Sequence, residues 1–195
     1  VAALVVPASA TNLLINSGFE EGDTGAIGNG YPGWNVWGNS GWHHDDAGKV
    51  IDTKAIKFWW DDSGTWQDVS VVAGQEYEFS VKAFNASGDP LVGWNGNLTA
   101  QFFNAQGTDS ANRLLDVVVD KFYSASDPKD QWVLLSGKVT APAGAATGRI
   151  QLNIADWQSG VGGSLNFDEA SISATPEPAA LLLAGLGAIV FVRRR

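Results

Sequence analysis

The sequence predicts an all-β protein, an antiparallel β-sandwich of the jelly-roll kind, with a hydrophobic transmembrane helix appended at the C-terminus. Three observations carry that reading. Nine to eleven short stretches alternate apolar and polar residues between clusters of Gly, Pro, Asn and Asp, as half-buried strands joined by turns do. No persuasive amphipathic helical period interrupts them. The composition, with 9 Trp, 23 Gly and no Cys, suits an extracellular β domain built on aromatic packing.

Taken in order, residues 12–16 read as a short apolar strand. Residues 25–33 form a glycine-rich loop closed by a Tyr31-Pro32-Gly33 turn. A short strand lies between Trp34 and Trp37, and residues 38–48 read as another loop. Over 54–60, Ile56, Phe58 and Trp60 share one face while Lys57 and Trp59 share the other. Across 65–72 the same alternation separates Gln67, Val69 and Val71 from Trp66, Asp68 and Ser70. The clearest strand sets Tyr77, Phe79, Val81 and Ala83 against Glu76, Glu78, Ser80 and Lys82. Further strands are expected at 98–104, 114–119 and 132–139, with an exposed loop at 120–129. Ile150, Leu152 and Ile154 alternate with Gln151 and Asn153 in the next. In 163–173 the apolar phase slips between Phe167 and Ala170, which predicts a bulge near Asp168 and Glu169.

Both ends read as addresses. The opening VAALVVPASA is an apolar stretch followed by small residues at Ala8 and Ala10, the end of a signal peptide whose removal would leave Thr11 first. At the other end Pro176, Glu177 and Pro178 stop the last strand, because proline has no amide proton to donate. Residues 179–192 are then uninterruptedly apolar, and Arg193, Arg194 and Arg195 close the chain with three cations. Fourteen residues span roughly 21 Å as a helix, against a hydrocarbon core of about 30 Å. That length suits a marginal, transient membrane anchor; a buried core helix would show a polar face, and this run has none. The organisation is therefore 1–10 signal remnant, 11–175 β-sandwich and 176–195 sorting segment.

The formal net charge of −9 disfavours nucleic acid as a partner. The lack of cysteine removes thiol catalysis, thiolate metal sites and disulfide bracing. Catalysis finds little support elsewhere. His43-His44-Asp45-Asp46 offers metal-ligating groups, but neighbouring residues of a strand point apart, and a solvated loop is the better reading. Asp61 and Asp62 are adjacent, whereas glycosidase carboxylates flank a bond from separate elements. Asn85-Ala86-Ser87 and Asn97-Leu98-Thr99 fit the N-glycan acceptor pattern by chance. Sugar binding is better served. Trp59, Trp66 and Phe103 lie on otherwise polar strand faces, where rings can stack on a pyranose, and Gln151 and Asn153 can supply directional hydrogen bonds. Trp42, Trp94 and Trp157 form a second group at strand ends.

The order Pro-Glu-Pro, apolar run, arginine cluster resembles the PEP-CTERM sorting signal of bacterial exported proteins. That resemblance implies recognition by an exosortase, a membrane cysteine protease or transpeptidase, with cleavage near the motif and release towards the cell surface or extracellular matrix. Seven phrases, LLINSGFEEG, GWNVWG, TKAIKFWW, TWQDVSVVAGQEYEFSVKA, QWVLLSGKVTAPAG, GRIQLNIA and GSLNFDEASIS, follow one another over residues 12–173. The series resembles carbohydrate-binding modules of the family 4/9 type, galactose-binding-like jelly rolls. It implies non-catalytic binding of polysaccharide. It also implies a structural calcium held by Glu20 and Asp168, with a backbone carbonyl near Thr53, which would pin the two ends of the sandwich together. The alternative is a structural or adhesion protein of the envelope or biofilm matrix that keeps the sandwich and binds no sugar.

Overall fold

Alternation of apolar and polar residues leaves each strand one face to bury, and two sheets packed face to face satisfy that demand. The computed structural model describes residues 10–28, 30–38, 41–59, 62–155 and 162–176. Its strands are β1 Gly25–Ala26, β2 Asn35–Trp37, β3 Gly41–His44, β4 Ala55–Trp59, β5 Ser63–Ser70 and β6 Glu76–Phe84. β7 Asn95–Phe103, β8 Arg113–Tyr123, β9 Trp132–Thr140, β10 Thr147–Ala155 and β11 Ser164–Ala174 follow. A six-stranded sheet runs β1-β3-β4-β11-β6-β9 and a five-stranded sheet runs β2-β5-β10-β7-β8, each with antiparallel neighbours.

The predicted inward faces fill the space between the sheets. Ile56, Phe58, Phe79, Val81, Phe167 and Ile172 come from the six-stranded sheet. Leu98, Ala100, Phe102, Ile150, Leu152 and Ile154 come from the five-stranded one, all twelve being at most 1% exposed. Phe79 meets Phe102 edge-on at 6.0 Å across the interface. The phase slip in β11 is a bulge: the register against β6 shifts between Asp168 and Ser171, and Glu169 sits at φ 50°.

Three expectations need correction. Residues 12–16 form no strand. The Leu13 N–H reaches the Ile172 carbonyl, the Asn12 side chain bonds β11 on both sides, and the Gln67 amide both accepts from and donates to Ile15. Side chains there replace a ladder, and Asn16 at φ 46° turns the chain away. The loop expected at 38–48 contains β3, and His43 and His44 are buried rather than solvated. His43 lies between the carbonyls of Asp23 and Phe19, with Tyr31 stacked on its ring at 5.7 Å. Burial lowers the His44 pKa to about 4, although the nearby Asp46 carboxylate opposes it. Finally, β8 continues to Tyr123, shortening the expected loop at 120–129.

β11 ends at Ala174, and Thr175 is held by β6: its N–H donates to the Glu76 carbonyl and its own carbonyl accepts from the Gln75 amide. Among the described residues no helix is long and apolar enough to cross a membrane. The signal remnant at 1–9, the apolar run, and Glu177, Pro178, Arg193, Arg194 and Arg195 lie outside the described residues, as do Trp60, Asp61 and Trp157.

Candidate functional site

Every strand of the five-stranded sheet buries one face in the core and presents the other outwards, so register decides which outward side chains are neighbours. One row runs Trp37, Gly64, Asn153, Asn97 and Lys121 across β2, β5, β10, β7 and β8. The next runs Asn35, Trp66, Gln151, Thr99 and Val118, and a third Asp68, Arg149, Gln101 and Asp116. Two of the expected sugar-binding groups, Gln151 and Asn153, therefore lie on one face with Trp66.

The face is polar yet shielded. Asn97, Thr99, Gln101 and Asn153 are each only 5% exposed. In the first row Asn97 Oδ1, Asn153 Oδ1 and Trp37 Nε1 are all out of solvent and make no hydrogen bond. An unsatisfied polar atom of this kind costs about 1–3 kcal/mol. All three belong to one row of the sheet. Gly64 lets Asn153 lean across the sheet, since a Cβ there would meet Asn153 Cβ and the Leu152 carbonyl oxygen, each at 2.5 Å. Gly64→Ala is expected to lower stability by about 1–3 kcal/mol through overpacking, measurable by urea unfolding, and to push Asn153 out of the row.

Beside the amides stands an aromatic platform. Asp68 holds Arg149 through two bonds, Nε to Oδ1 at 2.6 Å and the terminal nitrogen to Oδ2 at 2.9 Å. The guanidinium lies 5.2 Å from the Trp66 ring centroid and 4.8 Å from that of Phe103. Phe103 is 1% exposed beneath it, so its ring backs the platform and has no open face for a sugar. Asn97, Thr99 and Gln101 were not among the sugar-binding candidates the sequence offered; the signal was three polar residues alternating with Leu98, Ala100 and Phe102.

Trp59 is on the other sheet. It lies in β4 opposite Ser164, separated from Trp66 by the whole sandwich, and lines a cavity with Trp42, Lys57, Asp89 and Ser164. Trp94 packs partly buried against the core. Neither glycan acceptor pattern is usable on the folded chain: Asn97 is 5% exposed, and Asn85 is fully buried with its Oδ1 accepting from Leu91.

The two carboxylates expected to hold calcium lie near one another. A Cβ on Gly18 would lie 3.7 Å from Glu20 Cγ and 4.0 Å from Asp168 Oδ1. The 51–54 loop links them, with Ile51 N–H donating to Asp168 at 2.8 Å and Thr53 and Lys54 N–H donating to Glu20 at 3.1 Å. The Thr53 hydroxyl also bonds Glu20, while the Lys54 ammonium is held by the Glu20 and Gly22 carbonyls. Burial works to raise the Glu20 pKa, but the bonds from Thr53 and Lys54 and the nearby ammonium outweigh it and hold the group low. Asp168 goes the other way. Its burial pushes the pKa up to about 6, two N–H donors oppose this, and the charges of Glu20 and Glu169 add to it. Among the described residues no group of three or more His, Cys, Asp or Glu side chains is gathered for a metal. What the 51–54 loop turns towards these carboxylates is N–H groups and the Thr53 hydroxyl, where the resemblance implied a carbonyl near Thr53.

Solved structures of the same fold include the family 16 carbohydrate-binding module-2. It has a TM-score of 0.57 and 17% identity over 83% of this chain and 99% of that one. TmCBM61 in complex with β-1,4-galactotriose matches at a TM-score of 0.51 and 16% identity, over 85% and 100% of the two chains. The enzymatically active domain of bacteriophage CBA120 tailspike protein 4 matches at 0.56 and 12% over 84% of this chain. This chain spans about a fifth (21%) of that one's length. At these identities the likeness is one of fold, and the fold carries both binding modules and enzymes. No curated protein matches the sequence. Residues 174–195 match the PEP-CTERM protein-sorting motif, so the chain is an exported protein sorted through a membrane, with the jelly-roll fold seen in carbohydrate-binding modules.

Proposed function

We propose that the outer face of the five-stranded sheet binds a neutral polysaccharide chain without catalysis, and that the C-terminal signal delivers this binding domain to the cell surface or extracellular matrix. The observation that carries the reading is the row of solvent-shielded, unpartnered atoms at Trp37, Asn153 and Asn97, beside the Trp66–Arg149 platform. Amide oxygens accept from sugar hydroxyls, an indole N–H donates to one, and an aromatic face covers the apolar side of a pyranose. TmCBM61, of the same fold, holds a galactotriose, which supports a linear oligosaccharide as ligand. Processing at the sorting motif falls to an exosortase-type enzyme, with the inner membrane as a transient stop. A bound calcium would pin the 16–20 turn, the 51–54 loop and β11 together, supporting the domain without taking part in binding.

Titration calorimetry of the full chain with xylohexaose, β-1,4-galactotriose and cell-derived exopolysaccharide tests the binding. At least one should bind, and Gln151→Ala and Asn153→Ala should each weaken it about 10-fold, the worth of a lost hydrogen bond to a buried group. Affinity unchanged in both variants would refute the site. No binding to any of the three would favour a structural or adhesive role.

A further inference from the structure

The cavity beside Trp59 lies on the opposite side of the molecule, on the outer face of the six-stranded sheet. Its volume is 370 Å³, within the range of about 300–1,000 Å³ usual for small-ligand sites. Trp42 on β3 stands opposite Lys57 on β4, and Trp59 follows two residues later on the same face, so the two residues are diagonal neighbours whose backbone positions are about 7–8 Å apart. Ser164 on β11 is the register partner of Trp59, and Asp89 arrives from the 85–92 loop. Trp42 lines this cavity and is 40% exposed.

The wall is preformed. Ser164 donates through N–H to the Asp89 carbonyl at 3.1 Å and through its hydroxyl to Asp89 Oδ2 at 2.8 Å. Val92 N–H bonds the Gly162 carbonyl, and Asn85 Oδ1 accepts from Leu91 N–H, so the loop is fastened on both sides of Asp89. Lys57 is neutralised by Asp46 at 3.5 Å, and Asp89 adds a carboxylate, so the pocket carries no net positive charge. A pocket with net cationic character would select an anion. This one instead offers a donor, an acceptor and two aromatic faces, the chemistry that holds a neutral sugar ring.

We infer that Trp42, Trp59, Lys57, Asp89 and Ser164 form a second saccharide site, a pocket for a single neutral pyranose or chain end, back to back with the sheet face proposed above. The site stands on its own geometry; only its consequence rests on the earlier reading. With both faces occupied, one molecule holds two glycans and cross-links them.

The test follows the indole N–H signals of the full chain by two-dimensional NMR while D-galactose and then D-glucose are added. Trp42 and Trp59 should shift with one of them, and Trp42→Ala and Asp89→Asn should each weaken that response at least 10-fold without altering oligosaccharide binding to the other face. Trp42 lies on the outward face of its sheet and takes no part in the core cluster, so its replacement leaves the core untouched. If neither indole moves with either sugar, the second site is refuted whatever the oligosaccharide does. If the indoles move but Gln151→Ala and Asn153→Ala leave oligosaccharide affinity intact, the second site stands and the first falls. Cross-linking is read as polysaccharide viscosity, raised by the wild type and abolished by either Trp42→Ala or Asn153→Ala; a rise that survives both variants contradicts bivalency.

Discussion

Gly163→Ala is expected to lower the melting temperature by roughly 6–12 °C, from a stability loss of about 3 kcal/mol or more. Gly163 sits at φ 69°, a left-handed conformation that a side chain strains. A Cβ there would also be driven into the carbonyl group of Pro90. That contact belongs to the seam where the 85–92 loop lies along the start of β11, marked by a parallel bridge between Pro90 and Ser164. Backbone against backbone has no rotamer to relieve the clash, so the loop must lift and take Asp89 away from Ser164. Thermal melting of the variant tests this directly, and a melting temperature within 2 °C of wild type would show that the loop is not locked as described.

The second large effect is a stability whose pH dependence reverses with calcium. Asp168 has a folded pKa of about 6, raised above its ordinary 3.8 chiefly by burial. A raised folded pKa means the native state holds the proton more tightly than the unfolded chain. The resulting stabilisation is complete below pH 3.8 and is lost as pH rises through 6. Without calcium, this group should make the protein less stable between pH 4 and pH 7, by at most about 3 kcal/mol. Calcium bound here would take the ionised carboxylate as its ligand, so stabilisation by the cation should grow across the same window. At a calcium concentration of 1,000 times Kd the gain would be about 4 kcal/mol. Melts in EDTA and in millimolar calcium, at pH 4 and pH 7, supply the comparison. Asp168→Asn should abolish the calcium shift and remove most of the EDTA-state pH slope. Identical melts with and without calcium at pH 7 would eliminate the cation from the account.

Legibility in the sequence tracked how local each cause was. β6 could be read because strict alternation over Tyr77, Phe79, Val81 and Ala83 needs no partner to interpret, and the β11 bulge because a bulge leaves a phase slip. β3 could not. Gly41, Trp42, His43 and His44 look like loop, and the histidines are buried only because Phe19, Asp23 and Tyr31 arrive from elsewhere to receive His43. The sugar-site candidates show a second limit. A period of two says which residues share a face of one strand, but not which sheet the strand joins. Trp59 and Trp66 both point outwards from strands adjacent in sequence, and those strands lie in opposite sheets. Phe103 was placed on the right face, yet its cover, Arg149, lies on a neighbouring strand 46 positions away in the chain, beyond any local pattern. The nearness of Glu20 and Asp168 came from the resemblance to a family, since nothing in their spacing announces it.

The central claim is that the shielded polar row of the five-stranded sheet is completed by sugar hydroxyls. Crystals of the chain grown with xylohexaose or β-1,4-galactotriose measure it most directly. The account predicts a saccharide across β5, β10 and β7, with hydroxyls within 3.2 Å of Asn153 Oδ1 and Asn97 Oδ1 and one ring against Trp66. An oligosaccharide bound anywhere else, with that row still unpartnered, would contradict it.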